Sequence, residues 1–181
     1  MRILTLLFVL FLFYPVYGYS LPADSIAIKV AQADNCKKSM KYDQAFSLYQ
    51  QLYQSNPDNI DFLVACAEME VLMGKEKEAL ATYEKILKVD PDNLPANIYM
   101  GNYYYLTAEL KRKKIDEEYN KSTASTRIKN QNYKKNLNLI YITDYSTSKK
   151  HFENVIRTFP SIEAKRTLEK IAQVEKFVAE K

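Results

Sequence analysis

Residues 56–59 read NPDN and residues 90–93 read DPDN. Their prolines, Pro57 and Pro91, are 91 − 57 = 34 residues apart. A proline after a helical run removes a backbone donor and restricts the residue before it, so each stretch stops a helix. The Asp and Asn that follow can cap the next helix. The same polar joint therefore cuts the chain twice, and what lies between the two cuts decides the fold.

A shift of 34 lays the chain on itself. Ala45 falls on Ala79, Tyr49 on Tyr83, Leu52 on Ile86, Asp58 on Asp92 and Asn59 on Asn93. Ala33 falls on Ala67, and one more step reaches Gly101. Such a period marks stacked supersecondary units. Within one unit, Val64, Ala67, Val71 and Leu72 recur at helical spacing, as do Ala79, Leu80, Tyr83, Ile86 and Leu87. Gly74 separates the two runs and marks a turn between antiparallel helices. The small Ala67 and Ala79 allow the two backbones to approach.

The register Ala45/Tyr49/Pro57 and Ala79/Tyr83/Pro91, with Met100-Gly101 and Tyr104 opening a third unit, resembles the tetratricopeptide repeat family. The first halves depart from its pattern: Lys29 and Leu63 stand where tryptophan is usual, and Glu70 replaces the tyrosine. The resemblance covers residues 26–110 and 146–160. It implies an all-α, right-handed solenoid of about three helical hairpins, with repeats at 26–59, 60–93 and 94–160. It also implies a concave groove lined by Ala27, Val30, Asp34 and Lys37, by Asp61, Val64, Glu68 and Val71, and by Ile98, Asn102 and Tyr105. That mix suits an extended peptide or a partner helix. Some members clamp a C-terminal carboxylate with lysine and asparagine. Here Val30, Asp34 and Val64 occupy comparable places, so that activity is not carried over.

The third unit is interrupted. Its second half should follow residue 110, but KRKKIDEEY comes instead. The order small, aromatic, apolar, proline returns only at Ser148, Phe152, Val155 and Pro160. Pro160 follows Pro91 by 69 residues, which is 34 plus an insertion of 35, at 111–145. Read instead as two degenerate repeats, the segment would put Lys113, Glu117 and Ser125 at the small, aromatic and proline positions, three poor fits. Ile115 and Tyr119 can extend the first helix. Tyr133, Leu137, Ile140, Tyr141 and Tyr145 can extend the second backwards, with NKSTAST at 120–126 as the tip. The expectation is a long projecting hairpin; a disordered excursion is the alternative. The insertion carries nine Lys/Arg against four Asp/Glu, a net of +5, and begins with the basic run Lys111, Arg112, Lys113, Lys114. Residues 161–180 carry one apolar stripe (Ile162, Leu168, Ile171, Val174, Val178) and read as a capping helix, or else as a dimerisation helix.

Residues 1–18 hold one charge, Arg2, and an apolar run to Phe13, then Pro15 and Gly18, the layout of a secretory signal peptide. The run is shorter than the roughly 20 residues that span a bilayer. The expected location is therefore periplasmic or secreted, with a single domain at 19–181. There Cys36 and Cys66 could form one disulfide, or both could be small buried residues.

Chemistry is sparse. The single histidine, His151, has no cysteine or second histidine near it in sequence and reads as a surface residue. No glycine-rich phosphate loop or nucleophile elbow is present, and no cofactor is implied. Tyr99, Tyr103, Tyr104 and Tyr105 form either an interface patch or the packed root of the hairpin. The residues point to a non-catalytic adaptor for a protein or peptide partner, with nucleic acid disfavoured by export. The second reading is an accessory factor meeting anionic lipid or polysaccharide through the basic hairpin.

Overall fold

The computed structural model describes residues 23–180. The signal-peptide reading of 1–18 lies outside them. Three hairpins stack in order. Helix α1 (Ala23–Lys38) pairs with α2 (Tyr42–Ser55), and α3 (Ile60–Leu72) with α4 (Glu76–Val89). The long α5 (Leu94–Lys121) pairs with α6 (Thr126–Ile140), a π turn (Tyr141–Tyr145) and α7 (Ser146–Thr158). These last three run on as one rod, since the residues joining them keep right-handed helical angles. Helix α8 (Ile162–Ala179) closes the stack. This is the all-α solenoid that the 34-residue register implies, with its third hairpin elongated.

The doubled turn does the same work twice. The Asn59 side chain accepts from the Asp61 backbone N–H at 3.1 Å, and Asn93 accepts from Ala96 at 3.2 Å. In each joint the asparagine N–H also bonds back to the carbonyl three residues earlier, at 3.1 Å. Pro95 sits in the first turn of α5, where a missing N–H costs nothing.

The turns inside the hairpins repeat as well. Gly74 has φ of +72° and Met40, one period earlier, has φ of +57°. Lys75 N–H reaches Glu70 C=O and Lys41 N–H reaches Cys36 C=O, both at 2.9 Å, so both helices end on the same left-handed cap. The sequence concealed this match, because methionine stands where glycine serves. A third cap would fall at residue 108. That position holds Ala108, which is fully buried, and α5 runs straight through it.

The core is distributed along the stack. One cluster joins Ala33, Ala45, Tyr49, Leu52, Cys66 and Met69. The next joins Leu63, Val64, Ala67, Tyr83, Ile86 and Met100. Ala45, Ala79 and Ser148 are each fully buried, and Tyr49, Tyr83 and Phe152 lie over their partner helices. Ser148 donates to the Gly101 carbonyl at 2.8 Å, which satisfies a hydroxyl where the other units use a methyl. A Cβ built on Gly101 would stand 3.1 Å from the Phe152 ring. The two cysteines are free. Burial and then the nearby Glu70 push the Cys66 thiol up to about 12, so it behaves as a small apolar side chain.

His151 is not a surface residue. It is half-buried and stacks on Tyr104 with ring centroids 6.2 Å apart. Asn97, fully enclosed, donates from Nδ2 to the carbonyls of Pro91 and Asn93, both at 2.9 Å. Its Oδ1 is therefore the acceptor facing His151 Nδ1 at 2.9 Å, which requires the neutral ring to carry its proton there.

Two predictions arise from this packing. Gly101→Val forces a branched side chain into the Phe152 ring and is expected to cost about 1–3 kcal/mol. Gly74→Ala meets open space and costs only the left-handed backbone, about 1–2 kcal/mol; urea midpoints compare them, with Gly101→Val the more damaging. Burial, and secondarily Lys150, holds the His151 pKa below its ordinary value. A depressed histidine pKa means that the unfolded chain takes up the proton first. Its contribution is fully present above the unfolded value and is lost as pH falls from there through the folded value. Stability followed against pH is expected to fall across that window, and His151→Gln to flatten the fall.

Candidate functional site

The inner face of the stack is built by α1, α3 and α5. Of the expected groove residues, Ala27, Asp61, Val71, Ile98 and Asn102 are exposed on it. Val30 is half-buried and packs against the first core cluster. Val64 is 8% exposed and belongs to the core, so it offers nothing to a partner. Asp34 accepts from the Tyr49 hydroxyl. Lys37 pairs with Glu68 at 2.6 Å, linking α1 to α3; both ends are about two-fifths exposed, so the bond stabilises little.

Between α3, α4 and α5 the groove deepens into a pocket of about 470 Å³. Ile98, Tyr99, Tyr103 and Leu106 form its apolar wall, and Glu68 and Glu76 its rim. No lysine, arginine or histidine lines it. Leu106 is 60% exposed and Leu110, one turn on, 65%, so the apolar wall continues along the elongated part of α5. Tyr99 stacks on Tyr83 with centroids 4.4 Å apart and on Tyr103 at 6.5 Å. Burial raises the Tyr99 pKa, and Glu76 then adds to it, which shows the negative field on this side. These rings pack the root of the hairpin, and Tyr99 and Tyr103 also line the groove.

Tyr105 leaves this pocket. It turns to the neighbouring flank of α5 and meets Tyr145 at 6.1 Å. There a second cleft, about 450 Å³, opens between α5, α6 and α8. The sequence pattern did not expose it, because it depends on α8 docking against the inserted hairpin.

The run Lys111–Lys114 is not one basic patch. Consecutive helical residues point about 100° apart, so four in a row cannot share a face. Lys111 holds the buried Asp144 at 2.7 and 2.9 Å. Asp144 also accepts from the Thr143 hydroxyl at 2.7 Å. Arg112 is half-buried in the second cleft; Lys111, Lys113 and Lys114 are exposed, but the Lys111 ammonium is engaged by Asp144. The π turn contains both residues that reach α5 here. It presents adjacent Asp144 and Tyr145 to α5 together, one reaching Lys111 and the other donating to Glu109 across the fully buried Ala108. Among the described residues no group of three His, Cys, Asp or Glu could hold a metal ion.

Stacked helical hairpins with an open inner groove define the class of α-solenoid repeat proteins. The sequence profile of the tetratricopeptide repeat matches residues 38–100. A solved Bacteroides ovatus structure, described as a protein-binding protein, is 42% identical and superposes with a TM-score of 0.81 over 88% of this chain and 78% of that one. The chain belongs to the tetratricopeptide repeat family. The repeat domain of Sgt2 from Aspergillus fumigatus shares the fold at 18% identity, with a TM-score of 0.52 over 87% of this chain and 83% of that one. A 66-residue stretch is 33% identical to anaphase-promoting complex subunit 7 of Arabidopsis thaliana; it covers 36% of this chain and 12% of the plant protein.

Removing Lys111 leaves the Asp144 carboxylate buried without its ion. Lys111→Ala is therefore expected to destabilise by about 1–3 kcal/mol, whereas Lys113→Ala, at an exposed position, changes stability by less than about 0.5 kcal/mol. Equilibrium urea unfolding of the two variants measures the difference.

Proposed function

We propose that this chain is a non-catalytic adaptor whose groove holds an extended segment or a helix of a protein partner. The observation that carries this reading is the pocket between α3 and α5. Exposed Ile98 and Leu106 stand beside two tyrosine rings, under a rim of Glu68 and Glu76. Apolar side chains in water gain by being covered, and tyrosine gives large contact area at small entropic cost. Glu68 is already paired with Lys37, which leaves Glu76, among the described residues, as the acid of the rim without an ion pair, so the matching segment has a lysine or arginine beside aliphatic residues. A cation there also gains from the tyrosine faces. The protein-binding description of the Bacteroides ovatus relative supports the reading.

Export of the chain is part of the proposal and rests on the charge-then-apolar pattern of residues 1–18. No helix among the described residues is long and apolar enough to cross a membrane. The alternative, contact of the hairpin with anionic lipid or polysaccharide, rests on the exposed Lys113 and Lys114. It is the weaker reading, because the Lys111 ammonium is already paired with Asp144 and Arg112 lies in the second cleft.

Selection of a phage-displayed random peptide library against the protein tests the groove. Enriched peptides are expected to pair basic with aliphatic residues. Glu76→Lys or Ile98→Ser is expected to weaken them by about tenfold, equivalent to roughly 1.4 kcal/mol. Peptides that bind both variants as well as the original would show that the groove is not the site.

A further inference from the structure

We propose that the cleft between α5, α6 and α8 is a second binding site, which takes a carboxylate carried on an apolar body and anchors it on Arg112. The cleft is distinct from the α3–α5 groove and does not rest on a peptide occupying that groove.

The argument starts with what surrounds Arg112. Glu109 and Asp116 lie three residues before and four after it on α5, the spacings at which helical ion pairs form. Neither takes that role. Glu109 accepts the Tyr145 hydroxyl, and Asp116 accepts the Tyr133 hydroxyl at 2.7 Å. Among the described residues Arg112 forms no ion pair, whereas Lys37, Lys111, Lys149 and Arg157 all do. Each tyrosine hydroxyl points its hydrogen at a carboxylate, which leaves its oxygen lone pairs to accept from Arg112. Burial works against the guanidinium charge, but interaction with Tyr133 and Tyr145 outweighs it and holds the group protonated.

Two phenol oxygens do not satisfy a guanidinium with five N–H donors. Its planar fork matches a carboxylate in two parallel bonds, the strongest arrangement it makes. A half-buried cation without a counter-ion gains more from such a partner than one already in water. Lys170 and Gln173 stand at the opposite wall and add a second charge and an amide. Glu109 and Asp116 remain close by, and they oppose a dianion such as phosphate more than a single carboxylate.

The rest of the cleft is apolar and aromatic. Tyr133 meets Phe177 edge to face at 6.2 Å, and Leu137 and Val174 complete the floor. A volume of about 450 Å³ falls in the range of small-ligand pockets. The same chemistry is offered by a free aromatic acid and by an acidic residue beside an apolar one in a peptide.

NMR of the purified protein, following the Arg112 side-chain Nε–H and the backbone amides of the cleft, provides the test. The probes are N-acetyl-phenylalanine, its neutral amide, and N-acetyl-aspartyl-phenylalaninamide. At least one acid is expected to shift the Arg112 signal saturably, while the neutral amide does not. A response to the first acid alone identifies a free acid or chain terminus; a response to the dipeptide identifies an internal acidic residue. Arg112→Gln is expected to weaken binding at least tenfold, and exposed Lys113→Gln to leave it unchanged. Equal binding of acid and amide, no shift with either acid, or unaltered affinity in a folded Arg112→Gln protein would each overturn the proposal. If that variant does not fold, the acid-against-amide comparison on the original protein decides.

Discussion

The fold depends on helix backbones meeting where a side chain would otherwise stand. Ala33, Ala67 and Gly101 clear one helix of each hairpin; Ala45, Ala79 and Ser148 clear the other. All of these side chains that exist are fully buried. A flat ring then lies across each gap, Tyr49, Tyr83 and Phe152 in turn. Gly101 is the limiting case, with no room for even a methyl group beside Phe152 without a shift. Close approach is what makes the stack rigid enough to hold a groove, since interiors at this density transmit strain rather than absorb it. Burial of polar groups follows the same logic. Asn97 is enclosed near this contact only because Pro91, Asn93 and His151 supply its partners.

The elongated hairpin follows from the absence of a turn. Two hairpins close on a left-handed residue, Met40 or Gly74; the third has Ala108 at that register, and the helix continues. Once α5 continues, its partner must follow it with a matching face. Asp144 and Tyr145, both buried, lie in the π turn and both reach α5. The cleft beside Arg112 is the residue of that geometry, because Tyr145 forms part of the surroundings of its guanidinium.

Much of the stack was legible in the sequence because its causes are local and repeated. Small residues, rings and prolines recur in one register, and the interruption could be located because the register resumed at Ser148. The tip of the hairpin was legible too: the loop between α5 and α6 falls within the polar stretch at 120–126. What was hidden depends on partners distant in sequence. Met40 does not announce a left-handed turn. His151 looks exposed until Asn97, 54 residues earlier, is seen to face it. Lys111 and Arg112 read as free charges until a carboxylate 33 residues away and two tyrosine hydroxyls claim them. The groove residues were placed by resemblance alone. Resemblance gives a helical face, but it does not say that Val64 lies one layer too deep or that Tyr105 belongs to the next cleft.

Helix α5 therefore separates two chemically opposite surfaces. One flank carries Ile98, Tyr99, Tyr103 and Leu106 under an acidic rim; the neighbouring flank carries Tyr105, Glu109 and Arg112 opposite Lys170. Both flanks use tyrosine, but to different ends. On the acidic flank the rings stack on one another and offer faces to a cation. On the other flank two hydroxyls bond the neighbouring carboxylates, and the guanidinium is left without a direct ion pair among the described residues. A single segment lying across α5 would have to carry a positive charge on one side and a negative charge on the other. Reversing its direction would set like charge against like on both flanks. On the proposed reading, a segment that crossed both flanks would therefore be favoured in one orientation.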